Sequence, residues 1–405
     1  MDKRQSSAIL RIVSILFTAG IIAFLAFSGL FTLIRQPVFS SYYENRFLEP
    51  IPEYSSAGVL DGSYFSSLNT YLQEHAVGRN TLLRWETFLN LDILQRPVVN
   101  DVVIGNDVLL GWQDFWLYGQ DDLKASAESA ADRIAAHARK TEENGGHFYY
   151  IAVPHQALAF SDEYPPYLQS HEDYYRDVST FLADALQDRS VSFLDMWKVF
   201  QSGGNLVGIS SRTDNHFSII GALETCRYLL AHIREDTDYE THFLDEENCH
   251  VEWLPNHYLG SRSRKLFDLW PSDERLGIVV TEDEPPYTRT DKSSWLEGQQ
   301  ENRRIYALPS SSDEVISYDV YMGGDWGCTE INTHRPELPS ILIYGDSFTN
   351  PAECLLWQGF DTMYSFDFRH YSEYDLDELI ARYQPEIVVC IRDYEAVLKS
   401  EGNGL

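Results

Sequence analysis

Basic residues are scarce in this chain of 405: 31 Lys and Arg face 62 Asp and Glu, for a net charge of −31. With so little positive charge nothing replaces the counterions of a phosphate backbone, which excludes nucleic acid as a partner. Cysteine is scarce too. The five present are an odd number and few for an extracellular domain, and neither a Cys-x-x-Cys nor a metal-type Cys/His spacing occurs. No His-Glu-x-x-His or similar ligand frame supports a metal-dependent hydrolase, no cofactor is implied, and no internal repeat is evident. A composition of 44% hydrophobic and 23% charged residues is ordinary for a globular chain and excludes wholesale disorder.

The charge that is present is unevenly placed. Lys3, Arg4, Arg11 and Arg35 against Asp2 alone give residues 1–35 a balance of +3, so the other 370 residues carry −34. Ile12 to Leu33 contains no charge, and at 1.5 Å per residue such a run spans about 33–35 Å, enough for a hydrocarbon core of about 30 Å. A buried soluble helix of this length would show a polar face. A cleaved signal peptide would have a shorter apolar core with a small-residue site after it, whereas Ala26-Phe27-Ser28 lies inside the run. We therefore read residues 12–34 as an uncleaved transmembrane anchor. Residues 1–11 form a cytoplasmic tail, because Lys3, Arg4 and Arg11 precede the span, and residues 36–405 lie outside the cell membrane.

Residues 36–100 read as a Pro-, Ser- and Tyr-rich stalk with a helical lead-in over Asp61–Gly78 and Asn80–Leu94. Residues 101–405 read as the main domain. It opens on a hairpin through Gly105-Asn106-Asp107 and an Ala-rich helix over 121–143. Strand-like His147–Val153, Val191–Leu194, Ser340–Tyr344, Thr362–Phe366 and Glu386–Ile391 then alternate with helix-like segments, the rhythm of a three-layer α/β/α fold with a parallel sheet. Residues 235–335, acidic and aromatic with few helical patterns, read as an irregular insertion. Cys226, Cys354 and Cys390 fall in helix- or strand-like runs as small hydrophobes, while Cys249 and Cys328 lie in loop-like segments as the candidate disulfide pair.

Strand-like Ser340–Tyr344 runs into Gly345-Asp346-Ser347 and then a helix. That order sets the serine at the C-terminal edge of the sheet, where open α/β sheets bind ligands, and turns backbone N–H groups toward any nearby oxyanion. The same tripeptide also serves as an Asp/Ser helix cap. A serine nucleophile needs a base, and the base needs a carboxylate to fix its tautomer. Thr213-Asp214-Asn215-His216-Phe217, followed by a helix, supplies both from one short loop, although in an acidic chain with 12 His a solvated loop histidine is the plainer reading. His155, after Pro154 at the same sheet edge, reads as a capped loop histidine. Trp253, Tyr258, Trp270, Trp295, Tyr306, Tyr318, Tyr321 and Trp326 suit either sugar stacking or an aromatic core.

Gly-Asp-Ser with a separate Asp-x-His resembles the signature of SGNH-type hydrolases. The order here, Asp214-x-His216 before Ser347, resembles the alginate O-acetyltransferase-like (AlgX/AlgJ-like) and DHHW-type proteins. Glu44-Asn45-Arg46 with Pro50, Glu74-His75 with Gly78-Arg79, Tyr258-Leu259-Gly260-Ser261, Tyr321-Met322-Gly323-Gly324 and Phe366-Asp367-Phe368-Arg369 with Tyr371 resemble further motifs of that family in order, over roughly residues 40–395. The chain departs from it in carrying Asn215 and Phe217 where Asp-His-His-Trp has His and Trp, and Asp325 after Gly324. The resemblance implies Ser347 as nucleophile with its own N–H as an oxyanion donor, His216 as general base and acid, and Asp214 as its orienting carboxylate. Gly345, Gly324 and Arg369 would be oxyanion or substrate contacts. It implies an extracellular O-acetyltransferase or esterase acting on a polysaccharide, with a multispanning membrane-bound O-acyltransferase as acetyl donor. The alternative is a catalytically degenerate glycan-binding or assembly protein of the cell envelope.

Overall fold

The computed structural model describes residues 3–44, 46–112, 120–204, 206–295 and 298–400, so Asn45 of the Glu44-Asn45-Arg46 motif lies outside the described residues. The chain divides into two compact units, residues 1–100 with 264–269, and residues 101–263 with 270–405.

The first unit begins with helix α1 (Lys3–Ile34). Its segment Arg11–Ile34 is long and apolar enough to cross a membrane, and its most apolar stretch is packed against nothing in the protein. The chain then runs back along α2 (Ser63–Glu74). The His75 ring closes this corner, with one nitrogen 3.0 Å from the Tyr71 carbonyl and the other 3.0 Å from that of Val38. Helix α3 (Arg79–Phe88) follows and continues into a π-turn, Leu89–Ile93. The lead-in expected from Asp61 is interrupted at Gly62 and Gly78, whose φ of 86° and 75° are left-handed values that glycine adopts without a Cβ penalty. The motif residues of this region bond one another. Arg79 holds Glu44 at 2.6 Å and Arg46 holds Glu74 at 2.6 Å. The Arg79 hydrogen bond, working against partial burial, lowers the Glu44 carboxyl to about 2.

The second unit is built on an eight-stranded sheet. In chain order its strands are β1 (His147–Val153), β2 (Ser192–Asp195), β3 (Thr288–Lys292), β4 (Gln300–Glu301), β5 (Cys328–Asn332), β6 (Ile341–Gly345), β7 (Thr362–Phe366) and β8 (Ile387–Asp393). Their spatial order is β4-β3-β5-β7-β6-β8-β1-β2. The five strands from β7 to β2 are parallel, whereas β5, β3 and β4 extend the sheet antiparallel beyond β7. Residues of the parallel strands are buried on both faces, as crossover helices require. Ile151, Val153, Ile343 and Val389 share one core with helices α6 (Ile219–Asp236) and α7 (Thr349–Leu356). By the strand's period of two, Leu342, Tyr344 and Val388, all fully buried, face the other side. There α4 (Gln120–Glu143) packs on α5 (Glu172–Gln187) and α8 (Leu376–Tyr383).

The expected parallel sheet is thus the core of a mixed one, and the segment expected to be an irregular insertion supplies three of its strands. The physical reason is the content of β3, Thr-Arg-Thr-Asp-Lys. Its inward residues Arg289 and Asp291 are buried but charged, and pair at 2.9 Å, so no apolar alternation marks the strand. Cys249 and Cys328, expected in loops as a candidate pair, both begin strands, and all five cysteines are free.

Candidate active site

Strand β6 lies between β7 and β8. The connection from β6 to β7 runs through α7 on one face, and that from β7 to β8 through α8 on the other. This is a topological switch point, where a crevice opens beyond the strand ends. Gly345 ends β6 because nothing larger fits: a Cβ there would lie 2.3 Å from the Ile391 carbonyl oxygen. Asp346 then accepts from the Phe348 N–H at 3.1 Å and meets Arg392 at 3.3 Å, which fixes the turn. Half-buried Ser347 follows, two residues ahead of α7.

The loop carrying Asp214 and His216 is pinched at its base by a bridge between Ser210 and Phe217 and by a bond from the Ser211 N–H to the His216 carbonyl, 3.1 Å. Glu274 braces it from outside. Its carboxylate accepts from Ser211 Oγ, the Arg212 N–H, and the Thr213 N–H and hydroxyl at 2.5–2.9 Å. Burial pushes the Glu274 carboxyl up, and the Thr213, Arg212 and Ser211 donors pull against it.

These two loops bring three of the expected residues together. His216 Nε2 is 2.8 Å from Ser347 Oγ, and His216 Nδ1 is 2.7 Å from Asp214 Oδ1. Asp214 is fully buried and its carboxylate is surrounded by donors. Oδ1 also accepts from the Asn215 N–H at 2.7 Å and Ser261 Oγ at 3.1 Å, and Oδ2 accepts from the Ser261 N–H at 2.7 Å and the Tyr258 hydroxyl at 3.1 Å. Such a set fixes the carboxylate in place, and the His216 tautomer that donates to it from Nδ1 leaves Nε2 to accept from Ser347. The imidazole is clamped between rings as well. Tyr318 stacks on it at 3.8 Å and 10°, and its hydroxyl donates to the Ser347 carbonyl at 3.1 Å.

Tyr258, Ser261 and Tyr318 were legible only as motif or aromatic residues. Their link to Asp214 and His216 needs the third dimension. The clearest signal was the Tyr258-Leu259-Gly260-Ser261 motif. Gly260 is obligatory because a Cβ would fall 2.4 Å from the Thr213 carbonyl oxygen, and this close approach lets the Ser261 N–H reach Asp214. Gly260→Ala is expected to cost about 1–3 kcal/mol, read as a lowered melting temperature, and to slow any chemistry at Ser347; an unchanged melting curve would refute the close-packing account. Arg262, also buried, donates to the Asp214 carbonyl at 2.7 Å and to the Gln156 side chain. Asn215, where the family motif has His, places its Oδ1 2.8 Å from Ser261 Oγ and so shares that hydroxyl's one proton with Asp214, and Phe217 packs on Phe348 with ring centroids 5.3 Å apart.

The remaining expected contacts lie in a second cluster. Arg369 pairs with Asp367 at 2.5 Å and Asp325 at 3.1 Å, and Asp325 accepts from Asn350 of α7 at 2.8 Å. Gly324 has a φ of 101° and turns its N–H back to the Tyr321 carbonyl at 3.2 Å, so that N–H is already engaged. Asp325, Asp367 and His370 offer ligand atoms within 4.8 Å of one another, but the Arg369 guanidinium already pairs with both acids. His155, Asp393 and Glu395 form a similar group. His155 Nδ1 accepts from the Ala157 N–H at 3.1 Å, so the proton of the neutral ring sits on Nε2 and no lone pair faces the carboxylates.

Residues 108–305, just under half of the chain, match the family described as the SGNH hydrolase-like domain of acetyltransferase AlgX. The fold of the domain is SGNH hydrolase-like. The match contains Asp214 and His216 and ends before Ser347. Among solved structures the chain is similar to Bacillus cereus PatB1, at 18% identity and a TM-score of 0.62 over 73% of this chain and 96% of that one. PatB1 with a sulfonyl adduct gives 17% and 0.60, over 74% and 97%. A DHHW family protein from Eubacterium siraeum gives 17% and 0.54, over 76% and 95%. At such identities the likeness is one of fold. No curated protein matches the sequence.

Proposed function

We propose that the SGNH-like domain transfers an acyl group, acetyl by preference, to a hydroxyl of an exported polysaccharide, and that helix α1 anchors it on the outer side of the membrane. The observation that carries this reading is the unbroken chain Asp214–His216–Ser347, with links of 2.7 and 2.8 Å. Ser347 Oγ attacks the acyl carbonyl while its proton passes to His216 Nε2, and Asp214 stabilises the imidazolium that forms. The tetrahedral oxyanion is met by the Ser347 N–H. Collapse expels the donor's leaving group, which takes the proton from His216, and leaves an acyl-Ser347 ester. A sugar hydroxyl then attacks that ester, giving its proton to His216, and Ser347 leaves as the alcohol with that proton. Water in place of the sugar gives an esterase by the same steps. A multispanning O-acyltransferase fits as the acyl donor, since the proposed domain has no cytoplasmic access.

The AlgX match, to a domain named for an acetyltransferase, supports the reaction class, and the sulfonyl adduct of PatB1 supports an activated nucleophile in this fold. Of the insertion's aromatics, Tyr258, Tyr318 and Tyr321 are buried in the core, whereas Trp253 is 47% and Trp295 46% exposed, the latter 5.1 Å from Trp326, so these two Trp are the better candidates for stacking on a sugar. The test is covalent labelling. A sulfonyl fluoride is expected to modify Ser347 in the wild type and to leave His216→Ala unmodified, read by peptide mass spectrometry. A folded wild-type sample that stays unlabelled would favour the degenerate binding protein. Acetate release from an acetylated glycan, with and without acceptor, separates transferase from esterase.

A further inference from the structure

The segment after helix α1 exposes an unusual amount of apolar surface. Among the described residues, fourteen large apolar side chains between Val38 and Leu94 are exposed, against seven in all the chain beyond residue 100. The excess is therefore a property of this unit and not of the protein's surface at large, and it exceeds the scattered exposure normal for soluble domains. On α3 and its π-turn it becomes a stripe. Leu82, Trp85, Leu89 and Ile93, spaced by three and four residues, are 69%, 61%, 50% and 62% exposed, so the apolar face of the helix points outward, the reverse of a soluble amphipathic helix. A groove of about 430 Å³ opens on the same helix, lined by Tyr43, Arg84, Trp85, Phe88, Phe267 and Leu269.

What covers this face is set by where it is tethered. The end of α1 packs within the same unit: Thr32 and Arg35 line a cavity with Tyr71, His75 and Arg79, and His75 ties Val38 to α2. The stripe thus belongs to the same compact unit as the span's exit, on the helix that starts at Arg79 beside it. Residues 36–100 carry four Arg and seven Asp or Glu, and Arg46 and Arg79 are already paired within the unit. Attraction to anionic lipid therefore cannot be the source of any membrane contact; apolar burial must be. We infer that the Leu82–Ile93 stripe lies in the headgroup–acyl boundary of the membrane that α1 crosses, a second, interfacial membrane contact that holds the domain against the bilayer. Aromatic and aliphatic side chains at a span's exit are suited to that layer. The inference rests on the anchor reading and not on the chemistry at Ser347.

The test uses the full chain in phosphatidylcholine vesicles, with nitroxide labels attached one at a time at Leu82→Cys, Trp85→Cys, Leu89→Cys and Ile93→Cys in a Cys328→Ser background, the other native cysteines being buried. Arg84→Cys, exposed off the stripe, and Phe24→Cys, within the span, are the references. The four stripe labels are expected to show a several-fold higher ratio of oxygen to nickel-chelate collision than Arg84→Cys, unchanged by salt or by added anionic lipid. Ratios equal to that of Arg84→Cys overturn the inference. So does protection that appears only in native membranes, which would assign the face to a membrane protein. A Phe24→Cys label outside the bilayer would overturn the anchor and the inference together. Sulfonyl labelling of Ser347 in the same vesicles reports separately on the proposed chemistry.

Discussion

Replacing His216 with Ala, or Ser347 with Ala, is expected to lower turnover of a chromogenic acetyl ester by about 10⁶-fold, and replacing both to lower it hardly further. The two side chains share one proton across 2.8 Å, so removing either removes the function of the other. Asp214→Asn is expected to cost about 10⁴-fold by a different route. The donors that surround Asp214, among them the Asn215, His216 and Ser261 N–H groups, the His216 ring and the Tyr258 and Ser261 hydroxyls, point N–H or O–H groups at its two oxygens. An amide must place its own NH₂ against one of these sets. If it faces Ser261 and Tyr258, two donors are left without an acceptor in a fully buried site. If it faces His216, the imidazole must move its proton to Nε2, where it can no longer accept from Ser347. Tyr258→Phe removes one donor of several and leaves the carboxylate, so its effect should be far smaller. Melting curves keep loss of folding apart from loss of chemistry. A folded Asp214→Asn variant within tenfold of wild type would remove Asp214 from the mechanism.

The parts of this arrangement that could be read from sequence are those carried by local pattern. Strands such as Ile341–Gly345 and Ile387–Asp393 are continuous apolar runs, and buried parallel strands are expected to read that way. Asp214 and His216 are two residues apart, so their pairing needs only a short loop. The antiparallel strand at Thr288–Lys292 was not legible, because its inward positions are a buried ion pair, and a charged strand reads as surface. Tyr318 and Tyr258 were visible as aromatics but ambiguous between ligand stacking and core, since stacking on His216 and donation to Asp214 join residues 102 and 44 positions apart. Leu82 and Trp85 were visible as part of the helical pattern of the lead-in, but their exposure was not. Periodicity gives the stripe but not the side on which it is covered.

Arg289→Met is expected to be the most destabilising single change away from the site. Arg289 is 1% exposed and distributes its guanidinium over three partners: Asp291 Oδ1 at 2.9 Å, the Arg304 carbonyl at 2.6 Å and the Met322 carbonyl at 2.6 Å. Asp291 is fully buried and otherwise accepts from Thr329 Oγ1 at 2.7 Å. Removing the cation strands a buried carboxylate, which costs about 3–5 kcal/mol and, for a unit of this size, lowers the melting temperature by about 10 °C. The loss should also reach Ser347. Met322, Gly323 and Gly324 have φ of 57°, 76° and 101°, and Arg289 holds the carbonyl from which this left-handed turn departs. That turn connects Tyr318, stacked on His216, to Asp325, bonded to Asn350 of the helix after Ser347. Sulfonyl labelling of Ser347 in Arg289→Met should therefore slow even at temperatures where the variant is folded. Replacing both partners, as Arg289→Met with Asp291→Leu, removes the stranded charge and should regain much of the lost melting temperature without restoring the labelling rate, because the Met322 carbonyl still lacks its donor. A double variant less stable than the single one would show that the pair contributes through packing and not through charge.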